Sequence, residues 1–187
     1  YTFDLKETHN SEALIFHKFA HKFYLFTKGH KLTWEKYPKN KGKAFIFELD
    51  PKKNDVKKIG HFNTFLFKKN QKKARLKPKA SFVTGATISP EGDKFTLATL
   101  KHGIEYKINK GKNPFKPFPR GYSTRYRFPR FDGAQIEAIT YDQDGKSIYV
   151  FSESTLKKSK YLRLFKVNCR KGTSLKHIQF KIWEFFN

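Results

Sequence analysis

Three stretches of the chain share one outline, and this repeat constrains the fold more than any other feature. The stretches are residues 11–29, 84–102 and 135–154. Each has an Ala near its start, then an apolar alternation, a polar turn and a second run rich in β-branched and aromatic residues. The aligned residues are Ala13, Ala86 and Ala138, so the spacings are 73 and 52 residues. A period of about 50 residues is typical of propellers and solenoids.

Further segments with a period of two follow each hairpin, at residues 44–50, 56–62, 103–109, 161–168 and 177–185. Strict alternation with Val, Ile, Phe and Tyr predicts β-strands, and we find no 12-residue segment with a capped helical period. The predicted fold is therefore all-β, built from β-propeller blades of four antiparallel strands. The blade-like units are 10–66, 82–115 and 134–185. Three blades are too few for a closed ring, so this is about half of a six-bladed ring, completed by the same longer chain or by a second chain.

The repeat motifs resemble those of a known group of proteins. SEALIF with YLFTK, VTGATISPEG with LATLKHGIEY, and IEAITYDQDG with YVFSE are similar to repeats of bacterial secreted and periplasmic β-propeller proteins, including phytase-like and related six-bladed propellers. This resemblance implies a propeller fold and a periplasmic or secreted location. It also implies an acidic residue at the start of each inner strand, a place filled by Glu12 and Glu137. The middle unit has Thr87 beside its Ala, or Gly85 before it, so the acidic ring is expected to be incomplete.

Composition limits the chemistry and the partners. The 187 residues include one Cys, Cys169, which excludes an intrachain disulfide. The chain does not begin with Met, as expected of a processed secreted protein or of a fragment. The net charge of +24 favours an anionic partner. Most of the 40 basic residues are Lys, whereas sequence-specific nucleic-acid sites rely on Arg, so nucleic-acid binding is a nonspecific alternative.

Charged residues are predicted to gather at one end of the blades. Glu12 and Glu137 begin inner strands, and the second strands end at Lys28, at Lys101 with His102, and at Glu153. In a propeller these strand ends lie at the same face, so the carboxylates and amines would surround one funnel. The alternative is structural, with buried carboxylates accepting backbone N–H groups that join neighbouring blades.

The clearest charge feature is the Pro- and Arg-rich segment 110–131, predicted to be an extended crossover over the funnel face. It contains Arg120, Arg125, Arg127 and Arg130, interleaved with Phe and Tyr. Guanidinium groups beside aromatic rings can hold phosphate, sulfate or carboxylate. The alternative is an ordinary loop whose Phe residues attach it to the blade. A second basic segment, 67–80, is predicted to be a solvated insertion.

Other motifs predict less chemistry. Asp142, Asp144 and Gly145 resemble the start of a calcium loop but lack its later ligands, so a hairpin turn is favoured. His17 and His21 fall in the first hairpin turn, where their spacing does not form a zinc site. No nucleophile or phosphate-loop motif is present.

We therefore predict a non-catalytic module without a cofactor that binds an anionic small molecule, glycan or protein through Arg125, Arg127 and Arg130 with the funnel residues. The alternative is a calcium-assisted phosphoesterase or lactonase that uses Glu12, Glu137 and Glu153.

Overall fold

The computed structural model describes residues 9–29, 43–63, 82–100, 102–119, 123–128, 135–153, 163–168 and 180–184. These residues form three four-stranded antiparallel sheets, in agreement with the predicted all-β propeller blades. Sheet 1 has the order β1 (Ser11–His17), β2 (Lys22–Thr27), β3 (Lys43–Asp50) and β4 (Asp55–Asn63). Sheet 2 has the order β5 (Val83–Ile88), β6 (Lys94–Thr99), β7 (His102–Lys107) and β8 (Thr124–Arg127). Sheet 3 has the order β9 (Gln135–Tyr141), β10 (Ser147–Glu153), β11 (Arg163–Asn168) and β12 (Phe180–Glu184).

The first strand of each sheet is its inner strand. β5 contacts both β1 and β9, so sheet 2 lies between sheets 1 and 3. Both faces of sheet 2 are therefore covered, and even its polar residues Thr96, Thr99 and Glu105 are buried. The strands β6 and β7 of this middle sheet are therefore buried along nearly their whole length, whereas β1 of sheet 1 alternates between buried and exposed residues.

The core between sheets 1 and 2 is aromatic. Phe95 of β6 is fully buried and stacks on Tyr106 of β7, with ring centroids 4.9 Å apart and an interplanar angle of 10°. From sheet 1, Phe26 and Phe62 meet the same ring at 5.8 and 5.5 Å. Aromatic pairs at these separations add to the hydrophobic gain of burial, so the abundant Phe of the sequence forms most of this interface.

The first ten residues of the predicted crossover (110–119), together with residues 108 and 109, form a loop fixed to the blades, which we call the anchored loop. It starts at the hairpin-turn end of the sheets, because the N–H of Ile108 donates to the carbonyl oxygen of Asp93. Phe115 is buried against Phe95, with ring centroids 5.2 Å apart, and Phe118 packs on Phe62 at 5.2 Å. The alternative in which Phe residues attach this segment is thus the one observed. The prediction that the whole segment crosses the funnel face is wrong for these residues.

The rest of that segment contains a strand that the sequence analysis did not predict. Thr124–Arg127 forms β8, the fourth strand of sheet 2, and pairs with β7 through Gly103↔Tyr126 and Ile104↔Arg125. The prolines and arginines of the surrounding segment obscured this four-residue alternation. β8 is the outer edge of its sheet, where short strands are common.

The acidic segment between β9 and β10 is a hairpin turn, as predicted. Gly145 has φ +61°, a conformation that favours glycine. Oδ1 of Asp144 accepts hydrogen bonds from the backbone N–H groups of Lys146 and Ser147, at 2.7 and 3.1 Å. Gly92 occupies the same place between β5 and β6 with φ +65°. The carboxylate thus stabilises the turn itself.

His17 joins the turns of sheets 1 and 2. Its side chain is fully buried at the end of β1. Nδ1 accepts the backbone N–H of Ala20 at 3.0 Å, so Nε2 carries the proton and donates it to the carbonyl oxygen of Gly92 at 3.1 Å. Burial is the main cause that lowers the pKa of His17, and its hydrogen bond to Gly92 offsets this in part.

This arrangement predicts acid sensitivity. The folded-state pKa of His17 lies below its unfolded value of about 6.5. At pH values between the two, the His17 side chain is therefore protonated in the unfolded chain and neutral in the folded chain. The contribution of His17 to stability is therefore complete above pH ~6.5 and declines as the pH falls below it, by at most about 1.4 kcal/mol per pH unit. Urea unfolding between pH 5 and 8 should show this slope in the parent chain and a smaller slope in His17→Gln, whose amide can make both hydrogen bonds.

His61 provides the control for this experiment. Its pKa is also lowered, first by burial and then by Lys43 and Lys58. His61→Gln should therefore remove a separate part of the pH slope, and the double variant should remove both parts. An unchanged slope in His17→Gln would contradict the assigned role of His17.

Candidate functional site

Each inner strand has a β-bulge at the same place. In the register of the first two strands of each sheet, one residue near the start of the inner strand is skipped: Glu12 in β1, Thr84 in β5 and Glu137 in β9. A bulge redirects the side chain of its extra residue, and bulges are frequent at functional rims. We call the end of the sheets that carries these three residues the channel-mouth face.

The bulges correct the alignment of the middle repeat by one residue. Gly85 pairs with Ala98 in the way that Ala13 pairs with Phe26 and Ala138 with Phe151, so Gly85 replaces Ala86 in the repeat. Thr84, rather than Thr87 or Gly85, therefore occupies the place of the two acidic residues. The sequence alone could not show this, because a bulge adds one residue without changing the outline of the alternation.

Glu12 is held within its own sheet. Nζ of Lys28 lies 2.8 Å from Oε1 of Glu12, and both side chains are mostly buried, with 23% of the Lys28 surface and 16% of the Glu12 surface exposed. The backbone of Lys28 also accepts the N–H of Val83 from sheet 2, at 3.3 Å. The predicted neighbours Glu12 and Lys28 are thus brought together, and their charges neutralise each other.

Thr84 presents a buried hydroxyl at the corresponding place in sheet 2. The residue is 1% exposed, and among the described residues its Oγ1 atom has no hydrogen-bond partner. Leaving a buried hydroxyl without a partner costs about 1–3 kcal/mol. The channel-mouth face therefore contains an unused donor and acceptor at the bulge.

His102 and Arg125 form a second contact at this face. A guanidinium nitrogen of Arg125 lies 2.9 Å from Nε2 of His102. A guanidinium can only donate, so this ring nitrogen is the acceptor and His102 is neutral in the contact. The backbone of His102 is fixed by Thr99, whose Oγ1 accepts its N–H and donates to its carbonyl oxygen, both at 3.1 Å. The ring nitrogen supplies an acceptor to Arg125 but no negative charge.

The remaining predicted site residues are placed only in part. Glu137 lies at the bulge of β9, Arg127 is the last residue of β8, and Glu153 is the last residue of β10. All three therefore belong to the channel-mouth end of the sheets. Lys101 and Arg130 lie outside the described residues, as do the basic segment 67–80 and Cys169.

Lys43 begins β3 at the channel-mouth end of sheet 1. It contributes with Lys58 to lowering the pKa of His61, after the larger effect of burial.

Sequence analysis missed a buried carboxylate between sheets 2 and 3. Glu105 is 6% exposed, and its Oε2 accepts hydrogen bonds from the hydroxyls of Tyr141 at 2.9 Å and Tyr126 at 3.1 Å. Its Oε1 accepts the hydroxyl of Ser123 at 3.2 Å. Because Tyr141 donates to Glu105, the hydroxyl of Thr96, 2.7 Å away, donates to Tyr141. These groups satisfy one another and join the two sheets.

The hairpin-turn end has a cleft of about 360 Å³ beside the anchored loop. Lys57, Lys58 and Lys116 line it, together with Lys22, which is paired with Glu48 at 2.5 Å. Its lining comes from β2, β3, β4 and the anchored loop, so no local sequence motif could have predicted it.

The described part of the chain lacks two further features. It contains no group of three His, Cys, Asp or Glu side chains placed to hold a metal ion. No helix within it is long and apolar enough to cross a membrane.

Comparisons with known proteins show the fold alone. No family model matches the chain, and no curated protein matches it in sequence. Among solved structures it is similar to hydrazine synthase from Kuenenia stuttgartiensis, with TM-score 0.52 and 10% identity over 93% of this chain and 37% of that chain. It is also similar to a putative 6-phosphogluconolactonase from Bacteroides uniformis, with TM-score 0.53 and 16% identity over 94% of this chain and 41% of that chain.

A third similar structure is a protein of unknown function from Desulfotomaculum acetoxidans, with TM-score 0.51 and 13% identity. It is matched over 95% of this chain and 43% of its own. The chain thus spans about two fifths of the length of these three structures. Together with the three stacked sheets, these likenesses support a β-propeller module.

Proposed function

We propose that this chain is a β-propeller module of a secreted or periplasmic protein, and that it binds an anionic ligand or partner at the channel-mouth face. The observation that carries the proposal is the Arg125–His102 contact, which places a guanidinium of this face 2.9 Å from a histidine ring nitrogen. A guanidinium has five N–H donors, so it can bind an anion while it keeps the His102 contact.

The surroundings support an anion over a cation. Glu12, the bulge carboxylate of sheet 1, is already neutralised by Lys28 at 2.8 Å. The net charge of +24 attracts anions from a distance, although attraction alone does not select a site.

The test compares two single-charge variants of the chain. We expect Arg125→Ala to weaken the binding of inorganic polyphosphate about tenfold, as expected for the loss of one charge-assisted contact. Lys146→Ala removes the same charge from the exposed β9–β10 turn at the opposite end, and it should change the affinity less than twofold. Titration calorimetry at constant ionic strength measures both values.

Equal effects of the two substitutions would show that polyphosphate follows net charge only, and the proposal would then fail. His102→Gln gives a second measurement at the same site. Its amide oxygen can accept from Arg125, so binding should be largely retained, whereas His102→Leu should weaken it.

A further inference from the structure

The outer face of sheet 1 is apolar, and it is partly exposed on the inner two strands. On β1, the side chains of Leu14 and Phe16 are 57% and 46% exposed. They pair across to Leu25 and Phe23 of β2, which are half-buried on the same face. Farther out on this face, His9 packs on the buried rings of Phe45 and Phe47 in β3, with centroids 5.6 and 4.9 Å apart, so the exposed apolar surface lies on the inner two strands.

In the other two sheets, the residues at the corresponding positions of the repeat pack against a neighbouring sheet. Counted from the bulge, Leu14 and Phe16 correspond to Ala86 and Ile88 in β5 and to Ile139 and Tyr141 in β9. Ala86 and Ile88 pack into the core shared with sheet 1, and Ile139 and Tyr141, each 8% exposed, lie in the core shared with sheet 2. In both cases the partner is the preceding sheet. The exposed pair on sheet 1 is therefore shaped to receive another sheet.

The far side of sheet 3 has the complementary pattern. Ala13 and Gly85 stand on the faces that receive the next sheet, and Ala138 is their counterpart on sheet 3, where it is exposed next to Thr140. The small residue accommodates a larger one, because a Cβ added at Gly85 would lie 3.4 Å from Cγ2 of Ile139. Within the described part of the chain, no sheet packs on Ala138 of sheet 3, and Leu14 of sheet 1 packs on no other sheet.

We propose that a second copy of this chain covers both faces, with sheet 1 of each copy packed on sheet 3 of the other. Two copies then form one closed ring of six blades. Such contacts join unlike surfaces, so they either close into a ring or continue as a fibre. Propellers have about four to eight blades, and six is the only multiple of three in that range. The inference is independent of the proposed ligand.

Light scattering and sedimentation of the 187-residue chain provide the test. We expect a dimer at about 0.3 M salt, where repulsion between two strongly basic chains is screened. Leu14→Glu on sheet 1 and Ala138→Arg on sheet 3 should each raise the dissociation constant at least ~30-fold, because each substitution alters both of the sheet 1–sheet 3 interfaces in the dimer. Phe19→Glu removes an exposed aromatic residue from the β1–β2 turn, off this face, and should leave the dimer intact, with circular dichroism confirming the fold of each variant.

Mixing the two damaging variants sharpens the result. A mixed dimer has one unaltered sheet 1–sheet 3 interface and one interface in which the introduced carboxylate would meet the introduced guanidinium. The mixture should therefore dimerise more tightly than either variant alone. A folded monomer at all concentrations would overturn the proposal and assign the open faces to other blades. Disruption by Leu14→Glu but not by Ala138→Arg would overturn it as well, in favour of two sheet 1 faces packing on each other.

Discussion

Replacing Phe95 with alanine is expected to lower the free energy of unfolding by about 3–5 kcal/mol, the usual cost of truncating a fully buried aromatic residue. Phe95 has no exposed surface and contacts rings from both sheets and from the anchored loop, including Phe26, Tyr106 and Phe115. The ring is therefore shared by three parts of the chain. Its loss leaves a cavity that no single part can close by moving.

Urea denaturation followed by tyrosine and tryptophan fluorescence measures this effect. Phe19→Ala is the matched control, because Phe19 is 43% exposed and should cost less than half as much. If Phe95→Ala does not fold, Phe95→Leu keeps most of the volume and should still cost about 1–2 kcal/mol. Equal costs for Phe95→Ala and Phe19→Ala would show that sheets 1 and 2 do not share the described core.

Replacing Glu105 with leucine is expected to cost about 3–5 kcal/mol, because it removes the shared acceptor of two buried tyrosine hydroxyls. The hydroxyls of Tyr126 and Tyr141 both donate to this carboxylate, whereas the exposed hydroxyl of Ser123 can donate to the backbone carbonyl oxygen of Glu105 instead. Each hydroxyl left without a partner in the interior costs about 1–3 kcal/mol. Glu105→Gln retains one carbonyl oxygen and should cost clearly less than the leucine variant.

A combined variant separates lost hydrogen bonds from lost packing. Tyr126→Phe and Tyr141→Phe remove the unsatisfied hydroxyls, so adding them to Glu105→Leu should restore at least about half of the lost stability. Chemical denaturation of the parent, the single variants and the combined variant gives this coupling. Additive losses instead of recovery would mean that the network does not hold sheets 2 and 3 together.

Much of the fold could be predicted from the sequence, because strand alternation and turn chemistry are local. The hairpins around Gly92 and Gly145 are where the sequence places them, and the inner strands begin near the predicted residues. β8 was missed because four residues are too few to show a period within a segment rich in proline and arginine. The register of the middle unit was off by one residue, since nothing in the sequence marks Thr84 as a bulge.

The candidate site could be predicted only in outline. The sequence placed Glu12 and Lys28 at one end of the blades, and the structure joins them at 2.8 Å. It also suggested Arg125 for anion binding, a role that remains a proposal. It contained no signal for Glu105, because a Glu in an alternating strand is ordinarily assigned to solvent. Only the position of sheet 2 between two other sheets makes that carboxylate buried.

The bulges have a consequence for insertions and deletions. Each extra residue sets which side chains of an inner strand face the preceding sheet and which face the following one. Substituting Glu12, Thr84 or Glu137 leaves this assignment unchanged, and deleting one of them would restore a regular ladder with the same pairing on both sides of the gap. Inserting or deleting a residue elsewhere in an inner strand would reverse the assignment for the residues on one side of the change. Away from the bulge, the lengths of the inner strands are thus more tightly constrained than the identities of these three residues, and variation in chain length must be absorbed in the connections between strands.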